Sequence, residues 1–246
     1  MSCRPANPLP EDLATFVESA ENGVIFVSFG SILQASKMPE YKRVMMLRVF
    51  SRLEQKVIWK WEREMPDAPD NVLVSAWLPQ TSLLAHHNVK VFVSHGGAGG
   101  FQETICHKTP IVGIPFFGDQ FANVKDAVTR NIGVAIPWFE LEEDSFERAI
   151  REVVSNPLYS RSVTELRSLI LDQPSHPLEL SVWWLEYLLR HPHNTNMTPH
   201  SHRLYWFQYF LLDVIAVLLL TSSLLIFITC KLCSAGAEKI KKKKKE

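Results

Sequence analysis

The sequence predicts an α/β fold, a doubly wound parallel sheet followed by one helix that crosses a membrane, and three observations carry that prediction. Short β-branched runs alternate with stretches of helical periodicity, as they do where parallel strands are buried on both faces between layers of helices. Small residues, glycine above all, gather just after those runs, at the carboxyl ends where such a sheet holds its ligands. Residues 210–230 carry a single charge, Asp213, and as a helix at about 1.5 Å per residue they span about 31 Å, the depth of a bilayer's hydrocarbon core.

In chain order, residues 1–22 open with Pro5, Pro8 and Pro10 and read as an extended interdomain linker. Strands follow at 24–29, 57–60, 72–76, 91–94, 111–114 and 134–136, each a β-branched or aromatic run bounded by turn residues. Helices are predicted at 40–53, 81–86, 100–107 and 120–130 between the strands, and at 142–155, 161–171 and 178–189 after them. These elements form a body over residues 23–190. A second linker, 191–204, holds Pro, Asn, Thr and His without apolar periodicity. Tyr205, Trp206 and Tyr209 make an aromatic collar before the apolar run, which places the membrane helix at 205–230 and a basic tail at 231–246.

Charge and composition narrow the class. A hydrophobic content of 46% excludes a disordered or fibrous chain. Twenty-six basic and twenty-six acidic residues cancel, so the overall positive excess of a nucleic-acid binder is missing. The cancellation hides an asymmetry: the tail holds seven Lys and two acids, leaving 19 basic and 24 acidic residues on 1–230. Against Arg190 and Arg203 in the flank before the span, those lysines put the tail in the cytosol and the body in the lumen. Residues 1–13 hold no apolar core of a signal peptide, so a targeting segment is expected upstream. Asn196-Met197-Thr198 is a glycosylation sequon on the predicted luminal side, and Lys243-Lys244 resemble a dilysine retrieval signal of the endoplasmic-reticulum membrane. The four cysteines are too few for a disulfide scaffold, and Cys3, Cys106, Cys230 and Cys233 do not pair at zinc-finger spacing. Cys230 and Cys233 read as a lipidated or inert pair beside the membrane rather than as a redox motif.

The candidate chemistry sits at the strand ends. His95-Gly96-Gly97-Ala98-Gly99-Gly100 leads from a strand into a helix, and glycines there let backbone N–H groups approach a ligand at the positive end of the helix dipole, which suits a phosphate. Four glycines in five residues exceed what a tight turn needs. Gln102 occupies the place of the third glycine of a dinucleotide fingerprint, and no G-x-x-x-x-G-K-[ST] loop occurs. Phe29-Gly30-Ser31 ends the first strand and offers a hydroxyl and N–H groups. Trp77-Leu78-Pro79-Gln80 places an indole that can stack on a base beside an amide that can read its edge, although a Trp there can also serve packing alone. Glu103 lies one helical turn past the glycines, placed either to bridge a ribose diol or to face solvent. Asp119-Gln120 opens the next helix, where the two can bind sugar hydroxyls or Asp119 can simply cap the helix.

Taken in order and spacing, Trp77, Gln80, His95, Glu103, Asp119 and Gln120 resemble the signature of UDP-glycosyltransferases, specifically the membrane-bound animal glucuronosyltransferase-like family. The resemblance continues through Asp172-Gln173-Pro174, the helix around Trp183, Trp206-Phe207-Gln208-Tyr209 and the Lys-rich end. It implies a Rossmann-like sheet that is the C-terminal, donor-binding half of a glycosyltransferase B fold. It further implies that Trp77 stacks on uracil, Gln80 bonds the uridine and Glu103 holds the ribose hydroxyls. Ser31, His95 and the amides of Gly96, Gly97, Gly99 and Gly100 would hold the pyrophosphate, and Asp119 with Gln120 the transferred sugar. The donor would be UDP-glucose or UDP-glucuronic acid, the acceptor a small lipophilic molecule, with no metal or other cofactor, since helix amides and His95 meet the leaving diphosphate. One departure is that many members carry Asn or Ser where this chain has Gly99 and Gly100.

The family's catalytic base, a His oriented by an Asp, and its acceptor pocket belong to an N-terminal half that residues 1–22 cannot supply. His86, His87, His107 and His176 read as solvated or structural. The expectation is therefore a donor half that completes catalysis only with an N-terminal half or a relative, in the membrane of the endoplasmic reticulum. Two other classes compete: a non-catalytic, membrane-tethered UDP-sugar binder that regulates full-length relatives, and a nicotinamide oxidoreductase, against which the failed fingerprint counts.

Overall fold

The computed structural model describes residues 3–192 and 198–243. The chain divides into two compact units, Met1–Leu180 and Ser181–Glu246. The first is built on six parallel strands, β1 (Val24–Ser28), β2 (Lys56–Lys60), β3 (Val72–Ser75), β4 (Val89–Ser94), β5 (Ile111–Gly113) and β6 (Gly133–Ala135), in the order β3-β2-β1-β4-β5-β6. The predicted doubly wound sheet is thus present, with β4 beginning two residues earlier than its apolar run. Strand order reverses between β1 and β4, where Ser28 pairs with Ser94, and a crevice opens at such a switch point beyond the carboxyl ends.

Period-two alternation sends the strands' side chains into two cores. Ile25, Val27, Val57, Trp59, Val91 and Val93 pack with Met46 and Phe50 of α2 (Glu40–Ser51) and Phe146 and Ile150 of α6 (Glu143–Ser155). On the opposite face Val24, Phe26, Ile58 and Phe92 pack with Leu83 and Leu84 of α3 (Gln80–Ala85), and the Phe26 and Phe92 rings stack at 5.1 Å. α4 (Ala98–His107), α5 (Gln120–Thr129) and α7 (Pro157–Leu171) share a third cluster through Ile105, Ala127, Val163 and Leu166.

Within residues 1–22, read as an interdomain linker, the structure holds α1 (Glu11–Glu18), whose Leu13 and Val17 are buried in the α3-side core with Val24 and Phe26 of β1. Its apolar face is one turn long and follows three prolines, so its period was too short to register, yet Glu11 and Asp12 suit a helix start. α7 begins four residues before its predicted start, because Pro157 takes the first helical position, where no N–H is needed, and Asn156 Oδ1 accepts from Leu158 N at 3.0 Å. Cys3 and Cys106 form a disulfide across a separation of 103 residues.

α8 (Pro177–Arg190) passes from the first unit into the second. In the second, α9 (Trp206–Tyr209) ends before Leu211, whose φ of 56° breaks the backbone, and α10 (Leu212–Lys243) follows. The helix predicted over 205–230 therefore starts later, at Leu212, because Tyr205 and Gln208 close a capping box around the aromatic turn. Leu212–Leu232 is long and apolar enough to cross a membrane, the one such segment among the described residues. Asn196 of the sequon and Lys244 of the dilysine pair lie outside the described residues.

Candidate functional site

The switch point brings the β1 and β4 ends together. Gly30 (φ 83°) turns the chain after β1 and lies against the His95 ring; a Cβ there would meet His95 Cε1 at 2.9 Å. Gly97 faces the same ring, with a Cβ contact of 2.5 Å to His95 Nε2. These two glycines are small because an imidazole occupies the space between them. Gly96 (φ 77°) adopts a conformation that L side chains rarely take, and a Cβ there would collide with Val124 of α5.

Gly97 caps α4 without any side-chain bond, so the first-turn N–H groups of Ala98, Gly99 and Gly100 have no intrahelical acceptor. The two glycines that depart from the resemblance differ physically. A Cβ at Gly100 meets Phe92 at 3.4 Å, whereas one at Gly99 meets nothing within 4 Å.

A cleft of about 420 Å³ at this edge of the sheet is lined by Ser28, Gly30, Ser31, Lys60, Trp77, Gln80, Thr81 and Glu103. Trp77 is 79% exposed, so it is not a core residue and its face is open to a ligand. Gln80 and Glu103 meet directly: Gln80 Nε2 donates to Glu103 Oε2 at 2.6 Å, and Thr81 Oγ1 donates to Glu103 Oε1 at 2.5 Å. Glu103 is therefore held in one orientation, with lone pairs left on each oxygen.

At the β5–α5 turn the two predicted residues are set differently. Asp119 is exposed, and its Oδ2 accepts from Asn123 Nδ2 at 2.9 Å rather than capping α5. Gln120 is 4% exposed, and its Oε1 accepts from Phe116 N at 2.8 Å and Phe117 N at 3.2 Å, which leaves Nε2 as the end available to a ligand. Beside this turn, Ile32, Leu33, Met38, Phe116 and Trp138 line an apolar cavity of about 410 Å³.

Burial lowers the His95 pKa from its ordinary 6.5, opposed by the Asp119 carboxylate, so the imidazole of the free site is neutral at pH 7. A neutral ring keeps one N–H to donate and can take up a proton when an anion arrives.

Three residues were missed in the sequence. Thr81 orients Glu103; Lys60 Nζ holds the Gly30 carbonyl at 2.9 Å while paired with Glu62 at 3.0 Å; Asn123 ties Asp119 to the Gly96 carbonyl at 2.9 Å, joining two loops of the site. Only Asn123, four residues after Asp119 on one helix, left a readable spacing.

A family model described as UDP-glucoronosyl and UDP-glucosyl transferase matches residues 1–246. UDP-glucosyltransferase 2 of Dactylopius coccus is 38% identical over 228 residues, 93% of this chain and 44% of that protein. UDP-glucuronosyltransferase 2B33 of Macaca mulatta is 37% identical over 233 residues, 94% of this chain and 44% of that protein. The chain thus spans less than half the length of these relatives. Among solved structures, the glycotransferase of kitacinnamycin has a TM-score of 0.56 at 26% identity, over 68% of this chain and 42% of that one. Os79 from O. sativa, solved with U2F and trichothecene, has a TM-score of 0.59 at 21% identity, over 66% of this chain and 40% of that one, a likeness of fold.

Proposed function

We propose, since the chain belongs to the UDP-glucuronosyl and UDP-glucosyl transferase family, that it is the donor-binding half of an inverting glycosyltransferase. The observation that carries this reading is the cleft at the switch point, lined by an open indole, an oriented carboxylate and the Gly30–Ser31 turn, with Gly30 packed on the His95 ring at the entrance to α4. Those are partners for a base, a ribose diol and a diphosphate, in that order.

In the donor complex Trp77 stacks on uracil, Gln80 and Glu103 bond the uridine, and Ser31, His95 and the α4 amides hold the pyrophosphate. Asp119 and Gln120 Nε2 hold the sugar, which is glucose or glucuronic acid. A base supplied by the acceptor half removes the acceptor's hydroxyl proton; the oxygen attacks the anomeric carbon, its bond to UDP breaks, and UDP leaves with the electron pair. Amide donors and a proton-accepting His95 stabilise the charge that develops on the diphosphate, so no divalent ion is required by the scheme.

The Leu212–Leu232 segment is read as the single membrane span, with the body in the lumen of the endoplasmic reticulum and the lysine tail cytosolic. The Cys3–Cys106 disulfide suits that oxidising compartment.

The test is transfer from radiolabelled UDP-glucose or UDP-glucuronic acid to a phenolic acceptor, by the chain alone and after co-expression with a family N-terminal half. Transfer only in the second sample is expected. Silence in both despite UDP binding would instead favour a tethered, non-catalytic regulator.

A further inference from the structure

We propose that residues 3–9 form a strap that walls the nucleotide cleft, with Asn7 hydrogen-bonding the nucleoside of UDP and the Cys3–Cys106 disulfide holding the strap in place. The proposal rests on the donor-site reading above and adds to it a binding residue and a positioning device.

Asn7 lines the same cleft as Trp77, Gln80 and Glu103 although it lies some seventy residues or more before them in the chain. Asn7 is exposed and its carboxamide makes no hydrogen bond among the described residues, so its donor and its acceptor are both unspent. Arg4 lines an adjoining cavity that shares Glu103 with the first, so the strap runs along the ribose side of the site.

A segment without regular structure positions a side chain only if its ends are fixed and its backbone is stiff. Both conditions hold. Cys3 is bonded to Cys106, a buried residue of α4, the same helix that carries Glu103 and the phosphate-facing amides. Leu9 packs against the core cluster containing Leu13 and Val17 of α1. Pro5 and Pro8 lie between these pins, each fixing its own φ, and Pro8 also confines Asn7 to extended backbone. A carboxamide carries a donor beside an acceptor, the complement of the adjacent N–H and C=O on the edge of uracil, and it can equally bond a ribose hydroxyl.

The experiment measures binding of UDP, UMP and inorganic pyrophosphate to the full chain in detergent by calorimetry. Asn7→Ala is expected to weaken UDP and UMP by the same factor, about five- to tenfold for one hydrogen bond, while pyrophosphate binding is unchanged. The double variant Cys3→Ser/Cys106→Ser, which leaves no stray thiol, is expected to weaken UMP in the same direction because the strap loses one pin. Unchanged UDP affinity in Asn7→Ala, or an equal loss for pyrophosphate, overturns the role of Asn7; unchanged UMP affinity in the serine variant overturns the pinning. If the wild-type chain binds no UDP, the donor-site reading itself fails and the strap with it. Wild-type binding with an inert Asn7 refutes the strap alone.

Discussion

Replacing Trp77 with Ala separates binding from folding, and the structure sets both magnitudes. The side chain is 79% exposed. A tryptophan buries at most about 250 Å², so about 50 Å² is lost from the fold, about 1 kcal/mol as an upper bound at about 25 cal/mol per Å². Stacking on a base is worth about 1–3 kcal/mol, or about 5- to 150-fold in affinity. Trp59, wholly buried in the same domain and edge-on to Phe50 at 5.3 Å, is the control, since truncating it costs about 3–5 kcal/mol of stability. The assay is UDP titration calorimetry with EDTA present, run beside thermal unfolding of the same detergent-solubilised chain. Trp77→Ala should lose affinity and keep nearly all of its melting temperature; Trp59→Ala should lose melting temperature first. An unchanged UDP affinity in Trp77→Ala would refute the stacking argument, and strict dependence of wild-type binding on a divalent ion would refute the amide-and-histidine account of the diphosphate.

Gly99→Asn should tighten UDP binding by about 0.5–1.5 kcal/mol, since a side chain there meets nothing in the protein and gains a hydrogen bond to phosphate; calorimetry checks it, and Gly100→Asn, which meets Phe92, should not reproduce the gain. Because burial holds the free His95 pKa below 6.5 and a bound diphosphate raises it, UDP binding takes up a proton and strengthens relative to His95→Gln as pH falls from 7.5 toward that lowered pKa; equal pH profiles in the two proteins would count against it. The same burial lowers His86 and His107, so the unfolded chain binds more protons below pH 6.5, and the stability these neutral rings contribute is complete above that pH and lost as pH falls through their folded values; urea midpoints at pH 7.5 and 5.5 should show the drop. Gly96→Ala should destabilise the fold by about 2–4 kcal/mol, from a strained φ and a collision with Val124, visible as a lower thermal midpoint.

The sheet was legible because its strands centre on short apolar runs between turn residues, and the inner strands, buried on both faces, carry that mark most plainly. The apolar segment at the end of the chain was equally plain, since length and hydropathy are properties of sequence alone. The residues at the strand ends could be nominated for the same reason: a parallel sheet directs its ligands to one edge, so position after a strand already implies position near the site. Their partners could not. That Glu103 is clamped by Gln80 and Thr81, that Gln120 spends its oxygen on its own loop, and that Gly30 and Gly97 leave room for His95 all depend on side chains far apart in sequence reaching the same few ångströms. Residues 1–22 show the limit most clearly. Proline spacing suggested a free linker, but whether such a segment is free or fixed depends on what its ends meet, and only the tertiary structure brings Cys3 to Cys106 and buries Leu13 and Val17 beneath the sheet. Local pattern determines which elements form, because periodicity is an interaction of a chain with its neighbours and with water; the contacts that orient a site join distant positions, and no local pattern encodes them.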